Sequence, residues 1–199
     1  EGNGNRELSE WLSEYNIYHT PNFVYLKGNG VISLGSKEIE LALLEQGLGI
    51  SGEDIERIQM LKSAEINRII TIENLTTYFR WQEENSLIIY LGGYHNTVRR
   101  NLLNKIYMIY PEADYYHFGD IDAGGFEIYR DLCEKTNIPF KMYHMNLETL
   151  RKYEAYGKRL TDSDRKRLKE MKNQESLKEM VSYMIEHDVK LEQECIGVE

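Results

Sequence analysis

Residues 115–132 read YYHFGDIDAGGFEIYRDL. An aromatic, apolar run ends at Gly119, two aspartates one residue apart follow, and Gly124 and Gly125 lead into helical spacing. A strand, a tight turn and a helix are expected in that order. Working outward, residues 67–72 (NRIITI) and 86–91 (SLIIYL) are further short runs of apolar and β-branched residues. Residues 97–110 have helical spacing and stop before Pro111, 114–118 (DYYHF) form a third strand, 125–135 a helix, and 139–144 (PFKMYH) a fourth strand. Strands that alternate with helices predict a mostly parallel sheet covered by helices. Residues 147–194 read as helical throughout.

Upstream, residues 5–15 have the spacing of a short amphipathic helix, and 22–34 read as two strands around Gly28-Asn29-Gly30, a hairpin signal. Residues 37–48 read as a helix ended by Gly47 and Gly49. Ser51 with Asp54 three residues on resembles a capping box that opens another helix. The expected fold is therefore α/β: a central, mostly parallel sheet flanked by helices over 66–199, a small α+β N-terminal subdomain over 1–65, and a helical C-terminal region.

Composition sets the limits. With 41% hydrophobic and 29% charged residues among 199, the chain belongs to the folded globular class and needs no metal or disulfide staple to form a core. Cys133 and Cys195 form no CxxC pair, which removes a cysteine-built zinc site. The absence of a signal-like segment or a long apolar run points to a cytoplasmic protein with reduced thiols. The net charge of −9 argues against a protein that coats DNA nonspecifically. Residues 151–172, however, carry nine Lys/Arg against four Asp/Glu. This segment, with Lys158, Arg159, Arg165, Lys166 and Arg167, is either a solvated helical face or a surface that tracks phosphates.

The chemistry is expected where strands end. Glu73, the Gly92-Gly93-Tyr94-His95-Asn96 segment and the Asp120/Asp122 pair all follow expected strands, and ligands of open α/β sheets bind beyond the carboxyl ends. Residues i and i+2 of an extended chain face the same side, so Asp120 and Asp122 would repel unless a cation intervened. Mg²⁺ suits such a site, because it takes few carboxylates and keeps water and phosphate ligands. Glu73 supplies a third carboxylate or a general acid/base. Asp122 also suits a helix N-cap, and Asp120 a turn. An EF-hand loop over 120–131 lacks the required acid or amide at its fifth position and follows a strand, not a helix. The D-x-D of haloacid dehalogenase phosphatases expects Thr or Val where Gly124 stands.

Taken together, IITIENLTTYF (69–79), LGGYHN (91–96), YYHFGDIDAGGFEIYRDL (115–132) and KLEQECI (190–196) resemble the C-terminal domain of the JetD family, nuclease subunits of the Wadjet plasmid-defence systems. Through that family the chain is similar to the Toprim domain of topoisomerase VI A subunits. The resemblance implies a Toprim-like fold and a Mg²⁺-dependent (Mn²⁺ possible) DNA endonuclease. Glu73, Asp120 and Asp122 match its metal and catalytic carboxylates, and Glu194, with Glu192 as the alternate, matches a late acidic motif. Gly92 and Gly93 would allow tight backbone passage beside the site, and His95 would contact phosphate or shuttle protons. Expected partners are double-stranded DNA, condensin-like SMC subunits and a second copy of the chain. Two departures stand out. No winged helix with a catalytic tyrosine is evident, which puts topoisomerase chemistry in doubt. Residues 1–65 are also too short for the family's additional N-terminal regions, so a fragment or a lone catalytic module is expected. A non-catalytic module that binds DNA and partners is the alternative.

Overall fold

The computed structural model describes residues 14–15, 22–61, 63, 65–93 and 97–197. Among the described residues, nine strands fall into two sheets: β1 (Phe23–Gly28), β4 (Leu48–Ser51), β6 (Arg68–Ile72), β7 (Ser86–Tyr90), β8 (Asp114–Phe118) and β9 (Lys141–Met142) form one, in the order β4-β1-β7-β6-β8-β9. The second, in the order β3-β2-β5, comprises β2 (Val31–Leu34), β3 (Lys37–Glu40) and β5 (Gln59–Leu61). The pairings β7-β6, β6-β8 and β8-β9 are parallel, whereas β1 pairs antiparallel with both its neighbours. The helices are α1 (Gly52–Ile55), α2 (Leu75–Arg80), α3 (Thr97–Ile109), α4 (Ala123–Thr136), α5 (Leu147–Lys152), α6 (Asp162–Met171) and α7 (Lys178–His187). No helix among the described residues is long and apolar enough to cross a membrane.

The centre of the sheet is apolar on both faces because both are covered. Ile69 on β6 packs with Leu87, Ile89 and Tyr115 beneath Leu102, Leu103 and Ile106 of α3. Ile70 and Ile72 face the other way, toward Phe118, Phe126, Leu168 of α6 and Val181 and Met184 of α7. One strand thus feeds two cores, which fixes its register against slippage by a single residue.

Several expectations need correction. The residues around Gly28-Asn29-Gly30 do not make a hairpin: β1 and β2 lie in different sheets. The segment is a corner. Asn29 N–H donates to Ser86 O (2.7 Å), and a Cβ on Gly28 would stand 2.4 Å from that carbonyl. Glycine serves close backbone approach there. Residues 37–48 are not a helix but β3 followed by a 3₁₀ turn at Leu41–Leu43. Ile39, Leu41 and Leu43 recur every second residue, and β3 folds back on β2 with Leu34 opposite Lys37. The fourth strand shortens to Lys141–Met142. Residues 147–194 are not helical throughout: isolated bridges pair Lys158 with Lys190 and Ile121 with Leu191, so an extended strap returns to the sheet. At Ser51 only half of the capping box forms: Asp54 N–H donates to Ser51 Oγ (3.2 Å), and the Ser51 hydroxyl donates to Asp54 Oδ2 (2.9 Å) in place of the return bond to the Ser51 backbone. The helix over 5–15 lies outside the described residues except for Glu14 and Tyr15. Residues 23–28 and 48–51, upstream of position 65, contribute two strands to the main sheet.

Candidate active site at the carboxyl ends of the central strands

The chain leaves β6 through α2 to β7 on one side, and leaves β8 through α4 to β9 on the other. Connections that diverge from adjacent parallel strands open a crevice at their carboxyl ends. Glu73 follows the last residue of β6, and Asp120 lies two residues beyond β8. A cavity of about 300 Å³ there is lined by Glu73, Asn74, Leu75, Thr76, Tyr90, Gly92, Gly93 and Asp120. Gly92 and Gly93 take positive φ (65° and 74°), and no atom lies within 4 Å of where a Gly93 side chain would start. These two residues make the opening.

Glu73 is anchored through its backbone N–H, which donates to Phe118 O (3.0 Å). The nearby Asp120 backbone amide partly offsets the charge of its carboxylate, while Oε2 is buried without a hydrogen-bond partner. Burial first, and then the neighbouring charges of Asp120 and Asp122, push Glu73 up to about 7. Asp120 Oδ1 accepts from Gln193 N–H (2.7 Å). Burial raises Asp120 to about 6, aided by Asp122, Glu194 and Glu192 and opposed by the Gln193 hydrogen bond. Two acids with acidities shifted toward neutrality in one cavity mark a candidate functional site. Beneath them, buried His117 places Nδ1 3.0 Å from Thr71 Oγ1. A Cβ on Gly119 would stand 2.7 Å from Glu73 Oε2 and 3.0 Å from His117 Nε2, so glycine is required between these side chains.

Asp122 is placed differently. It is the N-cap of α4, its Oδ1 accepting from Gly125 N–H (2.8 Å), and its Oδ2 lies 3.9 Å from Lys190 Nζ. The acids of the late motif are also engaged: Glu192 pairs with Lys158, and Glu194 Oε1 accepts from Asn74 Nδ2 (2.6 Å). Among the described residues no group of three or more His, Cys, Asp and Glu side chains is placed to hold a metal ion. Glu73 and Asp120 are brought together in the cavity, while Asp122, Glu192 and Glu194 stand around it. His95 lies outside the described residues.

Two residues that the spacing did not point to are Gln193 and Lys190. Gln193 is fully buried: its Nε2 donates to Phe118 O (2.7 Å), and its Oε1 accepts from Asn74 N–H (2.9 Å). Lys190 Nζ donates to Asp164 Oδ2 (2.8 Å), and Asp164 is itself part of the capping box of α6 with Thr161. The one sequence signal for both was their membership of KLEQECI, where the acids drew attention instead.

Three of the cations in the basic segment are paired with acids from other parts of the chain. Lys158 pairs with Glu192, Arg165 with Asp188 and Arg167 with Glu127, the last through both Nε and Nη2. Arg159 and Lys166 are exposed and make no ion pair among the described residues.

The chain is similar to the Wadjet protein JetD of Bacillus cereus (strain Q1), with 29% identity over 194 residues that cover 94% of this chain. It spans about half the length of that relative, 47%. The family model described as Wadjet protein JetD, C-terminal, matches residues 31–199. That match takes in β2 to β9, α1 to α7 and the crevice, and the chain accordingly belongs to the JetD C-terminal family.

Proposed function

We propose that this chain is a Toprim-type, metal-dependent DNA endonuclease module acting in Wadjet defence against plasmids. One observation carries the reading: Glu73 and Asp120, from adjacent strand ends, share a cavity with their acidities shifted toward neutrality, and the inner oxygen of Glu73 lacks a partner. Buried like charges of this kind favour a bound cation. The donor set is all oxygen and fits Mg²⁺ or Mn²⁺, since Mg²⁺ uses one or two carboxylates and leaves its remaining positions to water and phosphate. Asp122 and Glu194 would act from around the ion. When bound, Mg²⁺ supplies Lewis-acid polarisation of a phosphodiester and a more acidic water.

The chain's own residues do the positioning. Glu73 and Asp120 lose their protons as pH rises through about 6 to 7 and then present two anions to the cavity. The Gln193 N–H fixes one Asp120 oxygen, which leaves the other to face the opening. Asp122 holds the start of α4, and Lys190 offsets charge beside it. Gly92 and Gly93 leave room for a phosphate backbone at the mouth. Exposed Arg159 and Lys166 remain available to DNA, with Lys158, Arg165 and Arg167 contributing once their internal pairs exchange for phosphates. Double-stranded DNA is the substrate, condensin-like SMC subunits in the cytoplasm deliver it, and a second copy would suit a double-strand cut.

Metal removal tests this. Circular plasmid incubated with the purified chain should be nicked or linearised in Mn²⁺, spared after EDTA treatment, and cut again when Mn²⁺ is restored. Cleavage that persists in EDTA would contradict the reading. A second reading, a DNA- and partner-binding module silent by itself, is favoured by the internal pairing of three of the five cations. It predicts no cleavage at any metal concentration.

A further inference from the structure

We infer that Gln193 is a positioning residue that sets the separation of Glu73 and Asp120, an inference that rests on the proposed metal site. The strands β6 and β8 are in register up to Ile72 opposite Phe118. The direct ladder ends one step later, where Glu73 N–H donates to Phe118 O. Beyond that rung the chains diverge into α2 and α4, and the gap between them needs a bridge with one donor and one acceptor.

The Gln193 carboxamide is that bridge. Its oxygen takes the Asn74 N–H at 2.9 Å and its nitrogen reaches Phe118 O at 2.7 Å. It stands in for a peptide group inserted between two separating strands. Its backbone N–H meets Asp120 Oδ1 at 2.7 Å, so one residue touches the backbone just after Glu73, the backbone just before Asp120, and the Asp120 carboxylate. Gln193 is completely buried, and water cannot take over these contacts. An asparagine arm is one methylene too short to span the gap, and an ionised glutamate has no proton to give Phe118 O.

The strap that carries Gln193 is held on both sides. Ile121 and Leu191 exchange backbone hydrogen bonds (2.9 and 3.2 Å), and Asn74 Nδ2 binds Glu194 Oε1. The flanking acids are thus committed to Lys158 and Asn74, and the middle residue of Glu192-Gln193-Glu194 is the one that reaches between the strand ends.

Mn²⁺ binding tests the role without reference to cleavage. The unbound Mn²⁺ signal in electron paramagnetic resonance would be titrated for the wild-type chain, Gln193→Met and Gln193→Asn. Near-ultraviolet circular dichroism would establish that each variant is folded. Loss of a partner that orients a ligand weakens metal binding by about 10- to 100-fold, and a loss of that size is expected in both folded variants. Wild-type affinity in the folded variants would overturn the positioning role and leave the metal site standing. Absence of Mn²⁺ binding by the wild-type chain would instead overturn the proposed function and this inference together. If neither variant folds, Gln193 is a fold determinant and the positioning role is overturned.

Discussion

Glu73→Gln should raise the stability of the cation-free protein at pH 8 and leave it nearly unchanged at pH 4. The folded state holds the Glu73 proton up to about 7, against an ordinary value of 4.5. A raised folded-state value means that the folded form binds more protons than the unfolded form between those limits. The stabilising contribution is complete below 4.5 and disappears as pH rises through about 7. At pH 8 the wild-type chain has lost up to about 3 kcal/mol from this group. The glutamine keeps an acceptor oxygen and carries no charge. Thermal melts in EDTA should show the wild type falling with pH, and the variant melting roughly 6 to 10 °C higher at pH 8. Asp120, raised to about 6, contributes a second decline over a lower window. Equal stability of wild type and variant at pH 8 would contradict the buried-charge account of the site.

Gly125→Ala should be among the most damaging single changes near the site, and Gly124→Ala among the mildest. A Cβ on Gly125 would stand 2.2 Å from Asp120 O and 3.0 Å from the Asp120 carbonyl carbon and nitrogen. These are backbone atoms, so the turn itself must open. Opening it separates the Gly125 N–H from Asp122 Oδ1 and removes the cap of α4. Overpacking of this kind costs about 1 to 3 kcal/mol, and a lost N-cap about 1 more. A fall in melting temperature of about 6 to 12 °C follows. A Cβ on Gly124 meets Asp122 Oδ1 at 3.2 Å, a contact that a shift of a few tenths of an ångström relieves without breaking the cap, and Arg167 Nη2 at 3.7 Å, an ordinary van der Waals contact. Alanine also favours the helix by up to about 1 kcal/mol, so this variant should melt close to wild type. Identical melting of the two variants would show that the turn does not set the geometry.

What the sequence disclosed follows the range of the interactions involved. The strands β6, β7 and β8 announce themselves because a strand covered on both faces must be apolar at consecutive positions, as in Ile69, Ile70 and Ile72. The carboxylates at their ends were legible for the same reason, being polar residues where apolar runs stop. Local turn signals were less informative. Gly28 and Gly30 serve a passage between sheets and not a hairpin, and only Ser86, far along the chain, explains this. The run at 37–43 alternated every second residue and was misread because glycines suggested a helix end nearby. Asp120 and Asp122, which alternation places on one side, part company because Asp122 is drawn to the Gly125 N–H. The basic segment looked like a free cationic face, yet its partners Asp188, Glu127 and Glu192 lie in other parts of the chain. Gln193 was hidden most completely. Its partner Asn74 is 119 residues away, and no spacing rule reaches that far.

The most direct test of the central claim is plasmid cleavage by Asp120→Asn in Mn²⁺. Asparagine can still accept the Gln193 N–H at Oδ1 while removing the buried charge. The variant should therefore remain folded, with a melting temperature at or above that of the wild type in EDTA. The account predicts that supercoiled plasmid stays intact with this variant while the wild-type chain converts it to nicked or linear product. Cleavage by Asp120→Asn at the wild-type rate would show that the strand-end carboxylates do not carry the reaction.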